Sequence, residues 1–277
     1  MPELPEVETV RRGLNQLTLN QEISGGDVLL HRTVAYPDSA GEFVDNIKGK
    51  TITSWQRRGK YLLAELSAGA WLGVHLRMTG QLLWLDRNES LHKHTRVRIF
   101  FGDQQELRFV DQRTFGQMWY VPSGVEVETI ITGLAKLAVD PFAPEFTVDY
   151  FAAKLQKGRR AIKTALLDQS VVAGLGNIYA DEALFKSKIL PTTLSVELKK
   201  PQIELLRTAI IEVLTASIAA GGTTFSNFLN VKGVNGNYGG EAWVYNRTGE
   251  ACKVCGDVIQ RIKLGGRSSH FCPSCQK

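Results

Sequence analysis

The chain has 277 residues, a formal net charge of +5, and 43% hydrophobic against 22% charged residues. That is the composition of a globular protein, long enough for two domains with a substantial core, and its positive balance favours a polyanionic partner. No run approaches the ~20 apolar residues of a membrane-spanning helix, and the acidic, proline-bearing start is not a secretory signal, so a cytoplasmic protein is expected.

The chain opens Met1-Pro2-Glu3-Leu4-Pro5-Glu6. Methionine is removed efficiently before a small residue, which would leave Pro2 with a free secondary amine. Such an amine can attack an electrophilic carbon and form an iminium. An α-amino group has an ordinary pKa of roughly 7.7–8.0, so a useful fraction is unprotonated near neutrality. Glu3 and Glu6 sit beside it and can move protons. Many proteins begin Met-Pro and make no use of it, so other segments must support this reading. From Pro5 to Leu17, Val7, Val10, Leu14 and Leu17 recur at helical spacing, with Pro5 in the first turn and acids at the positive end.

From Ile23 to Val121 the pattern changes to short apolar or alternating runs. They are Asp27–Leu30, Thr51–Trp55, Tyr61–Leu66, Trp71–His75, Gln81–Leu85, Val97–Phe101, Glu106–Val110 and Gln117–Val121, punctuated by turn residues. This predicts a β-sandwich or barrel. Pro141 and Pro144 mark a linker. Helical runs follow at Tyr150–Leu155, Ala161–Leu167, Asn177–Phe185 and Gln202–Ala219, then a glycine-rich segment, Gly221–Gly240. The expected organisation is an N-terminal helix and sandwich over 1–131, a linker over 132–149, a helical domain over 150–245 and a cysteine module over 246–277.

All four cysteines lie in that last module: Cys252, Cys255, Cys272 and Cys275. Two C-x2-C knuckles separated by sixteen residues suit tetrahedral zinc with Zn–S near ~2.3 Å. Two disulfides are the alternative, disfavoured in a cytosolic chain. Gln260, Ile262 and Leu264 would share one face of a hairpin, with Arg261 and Lys263 on the other, and Gly265-Gly266-Arg267 a turn. Six Lys/Arg against two Asp/Glu from Asn246 to Lys277 leave a local net of +4, as expected of a nucleic-acid finger.

Other segments are individually weaker. Gly174-Leu175-Gly176-Asn177 precedes a helix whose free N–H groups could bind phosphate, though a glycine turn is usually only a turn. Arg57-Arg58-Gly59-Lys60 places three cations between two strands, and His75 lies on an apolar strand. Met78 and Phe115 read as core residues unless loops carry them. There, with Arg113, they could enter a duplex and fill the void left by an extruded base.

Together these segments resemble the formamidopyrimidine-DNA glycosylase family. The anchors are Met1-Pro-Glu-Leu-Pro-Glu-Val-Glu-Thr, Arg58-Gly-Lys-Tyr-Leu-Leu, His75-Leu-Arg-Met-Thr-Gly, Asp111-Gln-Arg-Thr-Phe-Gly, Gly174-Leu-Gly-Asn-Ile-Tyr-Ala-Asp-Glu, Gly222-Thr-Thr and the cysteine module. The resemblance implies an N-terminal helix plus β-sandwich, a helix–two-turns–helix domain and a four-cysteine zinc-finger hairpin holding one structural zinc. It implies an enzyme that removes oxidised purines (8-oxoguanine and formamidopyrimidines) from damaged double-stranded DNA; a monomer of the bacterial cytosol or nucleoid is the expectation that goes with it. Strand cleavage by β,δ-elimination would follow. Pro2 would be the nucleophile and Glu3 the proton shuttle, with Glu6 holding the terminus. Lys60, His75, Asn177 and Arg267 would contact phosphates, Lys60 also lying close to the lesion nucleotide, with Lys163 a further match of that kind. Met78, Arg113 and Phe115 would enter the duplex, and Gly221–Gly240 would close over the extruded base. Gln112 and Thr114 depart from residues common in the Asp111–Gly116 motif, and the stretch Asn227–Tyr238 departs from better-known members. The alternatives are an endonuclease VIII-like enzyme for oxidised pyrimidines, against which Leu4 and the void-filling residues argue, and a non-catalytic zinc-dependent DNA-binding protein.

Overall fold

Helix α1, Leu4–Leu17, begins where the sequence places acids. The Glu3 backbone N–H donates to Glu6 Oε2 at 2.8 Å, closing a capping box that satisfies an otherwise orphaned donor. Val7, Val10 and Leu14 are wholly buried along one face. At the far end the Thr18 hydroxyl donates to Leu14 O and accepts from Trp55 Nε1, both at 2.8 Å, tying the helix to the strand that carries Trp55. The computed structural model describes residues 1–223 and 228–277.

Two sheets follow. One has the order β2 (Val34–Tyr36), β9 (Gln117–Val121), β5 (Trp71–His75), β4 (Tyr61–Leu66) and β3 (Ile52–Arg58). The other runs β1 (Ile23–Val28), β7 (Thr95–Phe101), β8 (Gln105–Asp111) and β6 (Gly80–Asp86). Every pairing is antiparallel except β2 with β9. Strict alternation decides which face of β7 is inside: Thr95, Val97, Ile99 and Phe101 are buried and the residues between are not. Side chains from both sheets and from α1 share one apolar core, which makes the pair a sandwich.

The strands match their expected positions to within a few residues, with β1 shifted from the expected Asp27–Leu30 towards the N-terminus. Strand β2 and helix α2 (Ala40–Ile47) of the sandwich have no counterpart in the sequence reading, nor does the four-residue helix α3, Val127–Ile130. Strand β2 is three residues long, too short to display a period. Helix α2 is capped by Ser39 Oγ accepting from Glu42 N at 3.3 Å and fully buries only Phe43 and Ile47.

The described chain divides into two compact units, 1–136 with 221–237 and 137–220 with 238–277. The glycine-rich segment was expected within the helical domain; its described residues up to 237 belong instead with the sandwich. Thr223 N–H donates to Glu6 Oε1 at 2.9 Å, Trp84 N–H donates to Val231 O at 2.9 Å, and Phe228 and Val231 join the sandwich core. Residues 224–227, inside the segment expected to close over a base, lie outside the described residues.

The second unit contains α4 (Val148–Leu155), α5 (Ile162–Leu167), α6 (Asn177–Lys186), α7 (Lys200–Ala219) and the hairpin β10 (Gln260–Leu264) and β11 (Arg267–Phe271); a short helix α3, Val127–Ile130, belongs to the first unit. Helix α6 is buried from Ile178 to Phe185, with α5, α7 and β11 all packed against it. The hairpin turn is Gly265-Gly266, both in the left-handed region at φ 52° and 78°. A two-residue turn of that type needs positive φ at both positions, which glycine adopts without a steric cost.

Candidate active site and zinc module

Pro2 is buried and lines a cavity of about 420 Å³ with Met78, Thr79, Gln81, Arg113 and Phe228. Its position follows from α1: the capping box directs the chain preceding Glu3 off the helix start. Glu3 is 2% exposed and Glu6 is wholly buried. Glu6 bridges two backbone donors, Glu3 N and Thr223 N, and so fastens the N-terminus to the start of the glycine-rich segment. In the chain that retains Met1, burial lowers the pKa of the terminal α-amino group. Glu3 and Glu6 oppose the shift, whereas Lys60 and Arg113 reinforce it. Lys60 therefore lies within electrostatic reach of the terminus, itself buried on the two-residue connection between β3 and β4.

His75, at the end of β5, is also buried. Burial, with Arg77 and Lys60 nearby, lowers its pKa to about 3, so the ring is neutral near pH 7. Its Nδ1 accepts the Arg77 backbone N–H at 3.0 Å, which leaves the ring proton on Nε2 as a donor. Any phosphate contact from His75 is thus a neutral hydrogen bond. Met78 is half-buried on the β5–β6 connection, and Arg113 and Phe115 are exposed on the β8–β9 connection. Phe115 is 47% exposed, and the Arg113 guanidinium lies 5.2 Å from its ring centroid. An exposed phenylalanine on a loop is not a core residue.

In the second unit Asn177 is the first residue of α6, and its Nδ2 donates to Ser268 Oγ at 3.3 Å. Ser268 neighbours the exposed Arg267 at the start of β11, so these two candidate phosphate ligands are joined. Lys163 requires a correction. Its side chain has no exposed surface, and its ammonium donates to the Asp181 carboxylate and, at 2.8 Å, to Asn177 O. It is a buried counter-ion under the α6 N-terminus, not a phosphate ligand at the surface. Asp181 also accepts from His270 N and lies 2.9 Å from His270 Nδ1, which pins β11 to α6. The sequence reading missed Asp181 and His270 because the partners are 89 residues apart. It also passed over His92 and His94, which line the Pro2 cavity.

The four cysteine sulfurs lie within 4.8 Å of one another. Cys252 Sγ and Cys275 Sγ are 3.9 Å apart, and Cys255 Sγ and Cys272 Sγ 3.5 Å. A tetrahedron with Zn–S near 2.3 Å has edges of about 3.8 Å, so the thiols fit one zinc ion. The separations are far too long for disulfides. Val254 N–H donates to Cys252 Sγ at 3.4 Å, as in a metal knuckle.

Three family models match in chain order: the formamidopyrimidine-DNA glycosylase N-terminal domain over residues 1–118, that enzyme's H2TH domain over 137–228, and a zinc finger found in FPG and IleRS over 249–277. The chain belongs to the formamidopyrimidine-DNA glycosylase family. Proteins of that name from Trichormus variabilis and Nostoc sp. are 79% and 77% identical to it, each comparison covering 100% of both chains. Among solved structures, a Lactococcus lactis family member in complex with Fapy-dG-containing DNA is 37% identical, with a TM-score of 0.90 over 99% of this chain and 100% of that one. A complex of the same bacterium's protein with abasic-site DNA is 36% identical, with a TM-score of 0.90 over 99% of each chain. Family membership accounts for the four-cysteine module as its zinc finger and for the sandwich with α1 as its N-terminal domain. No helix among the described residues is long and apolar enough to cross a membrane.

Proposed function

We propose that this protein excises oxidised purines from duplex DNA through an N-terminal proline and then cleaves the strand at the abasic site. The observation that carries the proposal is the convergence of Pro2, Met78 and Arg113 on one cavity, with the buried Glu3 next to Pro2 and Lys60 in electrostatic reach. The named relatives, and the Lactococcus complexes with Fapy-dG and abasic DNA, support the substrate class.

With Met1 removed, the Pro2 nitrogen becomes a secondary amine in a buried setting that favours its unprotonated, nucleophilic form. It attacks C1′ of the extruded nucleotide and the base leaves with its bonding electron pair; the nitrogen then gives up its proton, and its lone pair forms the C=N bond as the C1′–O4′ bond breaks, Glu3 supplying the proton that the ring oxygen takes up. The resulting iminium makes the 2′ proton acidic. Its abstraction expels the 3′ phosphate, and a second elimination expels the 5′ phosphate. Lys60, His75, Asn177 and Arg267 hold phosphates. Met78, Arg113 and Phe115 occupy the gap, offsetting the few kcal/mol that base extrusion costs.

Borohydride reduction during turnover tests this. Mature protein should give a covalent adduct with 8-oxoguanine duplex that maps to Pro2, and a variant retaining Met1 should bind DNA without forming it. An adduct on a lysine, with Pro2 unlabelled, would overturn the assignment.

A further inference from the structure

Met78 and Arg113 stand on different connections, yet the sheet brings those connections side by side. Gly80 opens β6 directly opposite Asp111, the last residue of β8. Thr79 precedes the one, and the loop 112–116 follows the other. The Thr79 hydroxyl donates to Asp111 Oδ1 and accepts the Arg113 backbone N–H at 2.9 Å. The second carboxylate oxygen of Asp111, which is 1% exposed, accepts Gly116 N–H at 2.7 Å. A single carboxylate and a single hydroxyl thus grip both ends of the loop that carries Arg113 and Phe115.

The loop needs that grip. Thr114 sits at φ 57°, a left-handed conformation that is costly for a β-branched residue and persists only where its surroundings enforce it. Gly116 returns so close to the sheet that a Cβ there would lie 2.4 Å from the Phe109 ring and 3.0 Å from Asp111 Oδ2. Close backbone approach and the carboxylate anchor therefore fix one end, and Thr79 fixes the other.

We propose that Thr79 is a positioning residue: its hydroxyl locks the Met78 connection to the Arg113–Phe115 loop, so that the three side chains enter the duplex as one unit. This rests on the reading that those side chains fill the void left by the extruded base. The hydroxyl uses its single proton towards Asp111 and a lone pair towards Arg113 N–H. Valine has the same shape and can do neither, leaving a buried carboxylate oxygen without its donor. Serine can do both.

The test compares T79V, T79S, R113A and T79V/R113A in mature form. One assay is single-turnover excision of 8-oxoguanine opposite cytosine or adenine in duplex DNA. The other is borohydride trapping on a single-stranded abasic oligonucleotide, which has no void to fill. T79V should lower duplex excision about tenfold more than single-strand trapping, the size expected when a buried polar group loses its partner. Its opposite-base preference should move towards that of R113A, T79S should stay near wild type, and T79V should cost less in the R113A background than it does alone. A T79S protein as impaired as T79V, or losses that multiply in the double variant, would sink the inference alone. Wild-type excision and opposite-base preference in R113A would remove the void-filling reading and the inference with it.

Discussion

Lys60 and Lys163 carry the same side chain, and both matched phosphate-contacting positions, but burial and partners separate them. Lys60 raises the local positive potential at the N-terminus, whereas Lys163 neutralises Asp181 inside the second unit. Lys163→Met should therefore behave as the breaking of a buried ion pair. Urea unfolding should show a loss of about 3–5 kcal/mol, because the Asp181 charge is left uncompensated. Unchanged stability with weaker DNA binding would return Lys163 to the interface. His75 supplies a pH signature. The folded ring takes up a proton only near pH 3, whereas the unfolded chain does so near 6.5. The unfolded state therefore binds more protons in that window, and stability should fall as pH falls from 6.5 towards 3. Glu8 acts lower: burial raises its pKa, but Arg11, Arg12 and Arg57 overcome that and hold it at about 2. Its stabilisation is present above about 4.5 and is lost between there and 2. His75→Gln should thus flatten the stability profile between pH 6.5 and about 4.5 and lessen the loss from there to about 3, leaving the share due to Glu8, measured by denaturant titration at each pH.

At the scale of elements, the β10–β11 hairpin converts a flexible arginine into a placed one. Arg267 leaves a two-glycine turn, its neighbour Ser268 accepts from Asn177 Nδ2, and His270 in the same strand is held by Asp181. A guanidinium presented this way can meet a phosphate with two parallel hydrogen bonds. Arg267→Ala should weaken binding to damaged and undamaged duplexes alike, most at low salt, and make the log–log salt slope shallower by about 0.9. Titrations of both duplexes over a salt series measure this, and an unchanged slope with unchanged affinity would take Arg267 out of the interface. The hairpin was legible in advance because alternation and a Gly-Gly turn are local signals. Helix α2 was not, since Phe43 and Ile47 alone are too few to show a period.

For the whole molecule, the zinc module depends on its metal more than the sandwich does. The apolar cluster around the module consists of Phe185, Val244, Ile259 and the cysteines Cys252 and Cys272, with Cys275 partly buried against it. So small a core leaves much of the folding free energy to thiolate coordination. Chelation of zinc should strip amide-exchange protection from residues 246–277 while strands β3 to β9 keep theirs, and it should weaken DNA binding. Protection retained across 252–275 in metal-free protein would show that the apolar contacts suffice. The sandwich needs no such clip, because both sheets and α1 bury one continuous core.

The sequence by itself determined what local pattern can carry. The α1 period, the strand alternation and the paired cysteine knuckles each depend on residues a few positions apart, and each places its element without reference to the rest of the chain, whereas the proline start gained meaning only beside the other segments. The tertiary structure decided which distant groups meet. It turned Lys163 inward to Asp181, joined Asp181 to His270, brought residues 221–223 and 228–237 into the sandwich unit, and set Thr79 between Asp111 and Arg113. A lysine's spacing reveals which face of a helix it occupies, but whether that face meets water or a carboxylate depends on chain packed against it from elsewhere, and no local period records that.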